Sequence, residues 1–234
     1  SVELFVAMSE AGADGFEVGI PYADPLMDGP IIMAAGELAL ERGVTVDGAF
    51  DIIARVFETT GKPVLAMTYV NPVLRQGITS FFEKAASAGA AGVIIPDLPA
   101  DESEPFRNAA RTCGVGLVLF AAPTTDDARL ERMLALDPAF VYAIAEVGIT
   151  GERDAPSENI ANLSSRIRRH SDVPIVFGVG ISTPEHVRLA SQHGDGVIVG
   201  SAVVRRVLEA NDATEASESL SSFVRKLVTS STRI

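Results

Sequence analysis

The chain has 234 residues, 47% hydrophobic and 21% charged, with 20 glycines and 13 prolines, a globular mix that excludes disorder. Nineteen basic against 31 acidic residues leave a net charge of −12 and a pI near 4.7, which makes nucleic acid and anionic membranes poor partners. Mean hydropathy is +0.25, yet no apolar stretch reaches the roughly 18 residues of a membrane helix, so a large buried core is expected. The single cysteine, Cys113, allows no internal disulfide, nothing resembles a secretion signal, and the expected setting is cytoplasmic.

Residue 1 falls inside a helical pattern carried by Val2, Phe5, Val6 and Met8. Seven apolar runs follow, at residues 15–20, 63–69, 92–96, 115–121, 140–145, 174–180 and 196–200. Several, such as Val93-Ile94-Ile95, are apolar at successive positions, the pattern of strands buried on both faces of a parallel sheet. Amphipathic stretches lie between them. Thr124-Thr125-Asp126-Asp127 predicts a helix start, Ser182-Thr183-Pro184-Glu185 has capping-box spacing, and Ser87-Ala88-Gly89, Cys113-Gly114 and His193-Gly194 read as helix stops. Arg166, Arg168 and Arg169, the densest basic cluster, fall in one of these helices.

No composition shift divides the chain, which predicts one α/β domain over residues 1–234. Glycine-rich turns follow the last two runs, at Gly178-Val179-Gly180 and Gly200-Ser201. Phosphate sites so placed belong to the (β/α)8 TIM barrel rather than to a doubly wound sheet. Seven runs against eight strands imply that the first strand is missing from the given chain.

Glu17 interrupts an otherwise apolar run. An ionised carboxylate there is costly without a partner, and burial raises its pKa until it can exchange protons near pH 7. The alternative is an interior Glu paired with a base, but no predicted strand contains Lys or Arg. Asp24 and Asp28 each fit ordinary turn chemistry, yet their loop leaves the C-terminal end of a strand, where barrel active sites are built. Gly178, Gly180, Gly200 and Ser201 together form a candidate phosphate cradle, because glycine turns and helix N-termini present free N–H groups.

Absences narrow the chemistry. Lys62, Lys84 and Lys226 lie before a strand or within helices, so a Schiff base lacks its amine. His170, His186 and His193 are placed in or just after helices, towards the bottom face, and no set of residues has metal-ligand spacing. Carboxylate acid–base chemistry on a phosphorylated substrate remains, with neither metal nor cofactor.

The segment Phe16-Glu17-Val18-Gly19-Ile20-Pro21-Tyr22-Ala23-Asp24-Pro25-Leu26-Met27-Asp28-Gly29-Pro30 closely resembles the signature of the tryptophan synthase α-subunit family. The similarity continues through Met67-Thr68-Tyr69-Val70-Asn71-Pro72, Pro96-Asp97-Leu98-Pro99, Val147-Gly148-Ile149-Thr150-Gly151, Phe177-Gly178-Val179-Gly180-Ile181-Ser182 and Val199-Gly200-Ser201-Ala202. The resemblance implies a lyase of tryptophan biosynthesis that cleaves indole-3-glycerol phosphate to indole and glyceraldehyde 3-phosphate. Glu17 matches the family's proton-transferring Glu, and Asp28 the Asp that accepts the indole N–H. Met67, Ile94, Tyr142 and Ile198 align with the indole pocket. Thr150 and Gly151 match a loop that closes over the substrate, Thr150 towards the pocket and Gly151 towards the phosphate. Gly178, Gly180, Gly200 and Ser201 match its phosphate-binding residues.

The resemblance also implies an αββα complex in which indole passes to a β subunit carrying pyridoxal phosphate, with the Asn71-Pro72 segment facing that partner. Glu146 and Val179 depart from the family pattern, and Val179 loosens one wall of the indole pocket. Two other functions remain open from the sequence: a phosphate-binding barrel that mainly activates its partner, and a stand-alone lyase.

Overall fold

The computed structural model describes residues 1–145 and 156–231. Seven strands, β1 (Phe16–Gly19), β2 (Val64–Met67), β3 (Gly92–Ile94), β4 (Gly116–Ala121), β5 (Val141–Ile144), β6 (Ile175–Gly178) and β7 (Gly196–Val197), lie in chain order. Each occupies one of the seven apolar runs. The helices are α1 (Val2–Glu10), α2 (Pro30–Glu41), α3 (Val46–Thr60), α4 (Val70–Gln76), α5 (Ile78–Ser87), α6 (Glu104–Cys113), α7 (Asp127–Leu134), α8 (Pro156–Arg168), α9 (Pro184–Ala190), α10 (Ser201–Glu209) and α11 (Ala213–Ser230). Parallel strands in sequential order, alternating with helices, give the (β/α) barrel class expected from the sequence.

The chain forms two compact units, residues 1–117 with 203–225, and residues 118–202 with the segment beginning at Lys226. In the first, parallel pairing sets Glu17 opposite Leu65, Gly19 opposite Met67, and Met67 opposite Ile94. With a side-chain period of two, Glu17, Leu65, Met67 and Ile94 share one face. Phe16, Val18, Val64, Ala66 and Val93 share the other and are all buried. Helix α3 covers that second face. It starts at Thr45, whose hydroxyl accepts the Gly48 N–H at 3.1 Å, and ends at left-handed Gly61. Its apolar stripe, Ala49, Phe50, Ile53 and Val56, is buried, each larger side chain contributing about 1.5–3 kcal/mol. Phe50 meets Phe81 of α5 edge-on at 5.2 Å.

In the second unit the register sets Phe120 opposite Tyr142, Tyr142 opposite Val176, and Ile144 opposite Gly178. Leu119, Ala121, Val141, Ala143, Ile175 and Phe177 point to the other face and are buried. The start of β6 is fixed by Asp195, which accepts the Ile175 N–H at 2.7 Å and pairs with Arg168. Arg166 pairs with Asp127 at 2.7 Å and donates to the carbonyls of Pro123 and Thr125. The densest basic cluster is thus committed to internal pairing.

Three local expectations are corrected. The cap of α9 is Thr183, which accepts the His186 N–H at 3.2 Å, not Ser182, and Glu185 turns to pair with Arg188. Helix α9 ends at Ala190, so Gly194 does not stop it. Gly194 is glycine because a Cβ there would stand 2.9 Å from the Ile175 carbonyl and against the Phe177 ring. His186 does not lie towards the bottom face; it occupies the first turn of α9, beside the loop that leaves β6.

Candidate active site

Strand β1 and the loop after it carry the carboxylates. Glu17 projects from the middle of β1, and its Oε1 is buried with no hydrogen-bond partner. Burial alone lifts its pKa from the ordinary 4.5 to about 7, because the charged form loses its hydration and nothing compensates. The paired-base alternative therefore finds no partner among the described residues. A carboxyl that is half protonated at neutral pH can both give and take a proton.

Residues 20–29 join β1 to α2. Ile20 extends the ladder by donating its N–H to the Met67 carbonyl at 2.8 Å, and Asp28 donates its N–H to the Pro25 carbonyl at 3.0 Å. Pro30 at the start of α2 is preset for a helix N-terminus and has no N–H to lose. Asp28 is partly buried. Desolvation raises its pKa, and a hydrogen bond from the Tyr69 hydroxyl opposes the rise. Tyr69 is itself buried and accepts the Met27 N–H at 3.2 Å. Its ring lies 5.5 Å from that of Tyr22, whose hydroxyl accepts from Asn71 Nδ2 at 2.9 Å. Asp97, beyond β3, accepts the Val70 N–H at 2.9 Å and holds the turn that carries Tyr69. An open groove of about 670 Å³ lies behind the same loop, lined by Tyr22, Asn71, Pro72 and Arg75 among others.

In the second unit, Gly178 ends β6 and is followed by Val179 and Gly180 at φ of 60° and 81°. A β-branched residue in left-handed backbone is strained by about 1–2 kcal/mol, and Val179 is held there with its side chain largely exposed. Ile181 anchors the loop in the core. His186 Nδ1 accepts the Ser182 N–H at 3.3 Å. Ser201 is the first residue of α10, directly after Gly200, and Ile198 donates its N–H to the Phe177 carbonyl at 2.7 Å. Tyr142 stacks on Phe120 with ring centroids 4.7 Å apart.

Gly178 faces the ring of Tyr142 so closely that any Cβ would overlap it. Gly178→Ala is expected to destabilise the chain by about 1–3 kcal/mol through overpacking, read as a lower urea midpoint. Gly200→Ala, with nothing within 4 Å of the added Cβ, is expected to stay within about 0.5 kcal/mol of wild type.

Of the sequence-predicted residues, Glu17, Met67 and Ile94 share a face in the first unit, near Asp28's loop. Tyr142, Gly178 and Gly180 share a strand pair and its loop in the second, with Ile198, Gly200 and Ser201 after the neighbouring strand. Thr150, Gly151 and Glu146 lie outside the described residues. Sequence reasoning missed Tyr69, whose hydroxyl holds the Met27 N–H beside Asp28, and Phe120, which stacks on Tyr142. Lys84 is engaged with Asp47 and Gln76, and no cluster of metal-ligating side chains occurs among the described residues.

The family model of the tryptophan synthase alpha chain matches residues 1–231. The chain belongs to the tryptophan synthase alpha chain family. Among relatives, the tryptophan synthase alpha chain of Geobacillus sp. (strain WCH70) is 39% identical over 219 residues, 93% of this chain and 83% of that one. That of Streptomyces avermitilis is 40% identical over 221 residues, 94% and 80% of the two chains. Among solved structures, tryptophan synthase from M. tuberculosis in an aminoacrylate- and BRD0059-bound form aligns with a TM-score of 0.86 at 33% identity, covering 98% of this chain and 85% of that one. In this member of the family, Glu17 carries a buried carboxyl oxygen with no hydrogen-bond partner and Asp28 is partly buried.

Proposed function

We infer that the chain cleaves indole-3-glycerol phosphate to indole and glyceraldehyde 3-phosphate by a retro-aldol reaction. The observation that carries this reading is Glu17, a buried carboxyl with a pKa of about 7 and no partner, on the face it shares with Met67 and Ile94. In its acid form Glu17 protonates indole C3, placing positive charge on the ring system. Asp28 accepts the indole N–H and stabilises that charge. Glu17, now a base, takes the proton of the hydroxyl on the carbon attached to C3. The C–C bond then breaks, its electron pair returns to the indole ring, and the hydroxyl carbon becomes the aldehyde. The glycine turns at Gly178, Gly180 and Gly200, with Ser201 and Gly151, supply N–H groups suited to the phosphate, and Met67, Ile94, Tyr142, Thr150 and Ile198 suit the apolar ring.

We further propose that the chain works with a β subunit that carries pyridoxal phosphate, and that it needs no cofactor of its own. Leu26 and Met27, 77% and 61% exposed on the loop that bears Asp28, offer apolar surface to such a partner. A cytoplasmic setting is proposed from the biosynthetic family to which the chain belongs; no helix among the described residues is long and apolar enough to cross a membrane. A purely activating role would leave Glu17's neutral-range carboxyl without a task. Incubating the purified chain with indole-3-glycerol phosphate is expected to release indole and glyceraldehyde 3-phosphate in equal amounts, faster with the β subunit present. No indole under either condition would overturn the assignment.

A further inference from the structure

We propose, resting on the role given to Asp28 above, that Asn71 is a positioning residue for the loop between β1 and α2. Together with Tyr69 it makes the start of α4 a two-point latch, and the latch sets where Asp28 stands.

The loop has no anchor of its own in the core. After Ile20 no residue is buried before Ala49, so the loop and the whole of α2 run without a buried side chain. The internal hydrogen bonds are local. Leu26 donates its N–H to the Asp24 carbonyl, Asp28 to that of Pro25 and Met33 to that of Gly29, each at 3.0 Å. These bonds shape the segment without fixing it to the strands. A segment with so few buried contacts opens at low cost in free energy, so the bonds that reach it from outside decide its position.

Among the described residues, the hydrogen bonds that reach residues 21–29 from elsewhere come from Tyr69 and Asn71. Asn71 Nδ2 donates to the Tyr22 hydroxyl at 2.9 Å, and the Met27 N–H donates to the Tyr69 hydroxyl at 3.2 Å. Tyr22 lies near the start of the loop and Met27 immediately before Asp28, so the latch grips it at both ends. Both grips are set in advance. Thr68 donates its N–H to the Ile94 carbonyl at 3.0 Å, and Asp97 accepts the Val70 N–H at 2.9 Å. The backbone on either side of Tyr69 is thereby tied to β3 and the loop after it. The Tyr69 ring is buried and lies 5.5 Å from the Tyr22 ring, which aims the Tyr22 hydroxyl before Asn71 reaches it. Groups already in place lose little conformational freedom when they bond. Asn71 itself is exposed, so shortening its side chain opens no cavity and acts through Tyr22.

The test uses the full chain. Asn71→Ala is expected to lower kcat about two- to tenfold, the loss of one hydrogen bond of ordinary strength. KM is expected to stay nearly unchanged, because Asp28 acts once the ring is charged. Tyr22→Phe is expected to match it, and the double variant to lose no more than either alone, since both remove the same bond. Tyr22→Phe with Tyr69→Phe opens both grips and is expected to lose roughly the product of the two single effects. In an Asp28→Asn background, Asn71→Ala is expected to cost nothing further, a result that a merely structural contact would not give. Amide hydrogen exchange reads the latch without substrate. The Met27 amide is expected to exchange about two- to tenfold faster in Asn71→Ala and in Tyr69→Phe, at an unchanged urea midpoint. Losses that multiply between Asn71→Ala and Tyr22→Phe, or a Met27 amide at its wild-type rate in both exchange variants, overturn the latch. Full cleavage by Asp28→Asn instead overturns the role given to Asp28, and the exchange rates are read independently of it.

Discussion

Glu17→Gln is expected to cut indole release roughly 100- to 10,000-fold, the range for loss of a general acid–base group, while making the folded chain more stable above pH 7. Both effects come from one cause. The glutamate's pKa is about 7 in the folded chain against an ordinary 4.5 because burial removes its water and no partner replaces it. A raised carboxyl binds its proton more tightly folded than unfolded, so stability falls as pH rises from 4.5 to about 7 and stays reduced above that. The full gap is worth about 3 kcal/mol, an upper bound on what glutamine recovers, since its amide must also be buried. Urea unfolding at pH 8 should show the variant ahead of wild type, and the advantage should vanish below pH 4.5. The sign separates a functional carboxyl from a structural one. A Glu17 that stabilised the fold through a hidden partner would make Glu17→Gln less stable at pH 8. Retained turnover would remove the residue from the chemistry.

The strands were legible because each lies in an apolar run, and segments buried at successive positions such as Val93-Ile94 or Val118-Leu119 can pack in few other ways. Their ends were less so. Two residues suffice for β7, since the next N–H, that of Ile198, already reaches the Phe177 carbonyl beyond the assigned strand. Thr183 and Ser182 are chemically equivalent caps in a sequence, and only the backbone geometry at Thr183 selects the one whose hydroxyl meets the N–H three residues on. Glu17 was legible as a charge in an apolar run with no base in any strand. Tyr69 was not, because its hydroxyl's backbone partner, Met27, lies 42 residues earlier, and no local pattern marks a tyrosine that must cross between two loops. Gly178 was read as a phosphate turn, yet its closest constraint is the Tyr142 ring on the neighbouring strand. Long-range pairs of this kind carry the site, and they emerge only when parallel register brings the loops together.

Asp28→Asn is expected to lower kcat about 100- to 1,000-fold, the range for loss of one preorganised electrostatic group, with KM nearly unchanged. The amide oxygen still accepts the indole N–H, so the ground state loses little. What disappears is the negative charge, which matters only once C3 is protonated and the ring carries positive charge. Unfolding cannot explain such a loss. Burial outweighs the Tyr69 hydrogen bond and holds Asp28 above its ordinary pKa, so its ionisation costs stability as pH rises, and the neutral amide avoids that cost. The Tyr69 hydroxyl also still receives the Met27 N–H, which keeps the loop over residues 20–29 in place. Urea midpoints at pH 8 should accordingly match or exceed wild type while steady-state turnover collapses. Asp28→Glu keeps the charge but moves it one methylene into the loop's space. It is expected to fall between the two, because correct charge without correct position recovers only part of the stabilisation. If the whole loss appears in KM, or kcat stays within tenfold, Asp28 binds the ring without stabilising its charge.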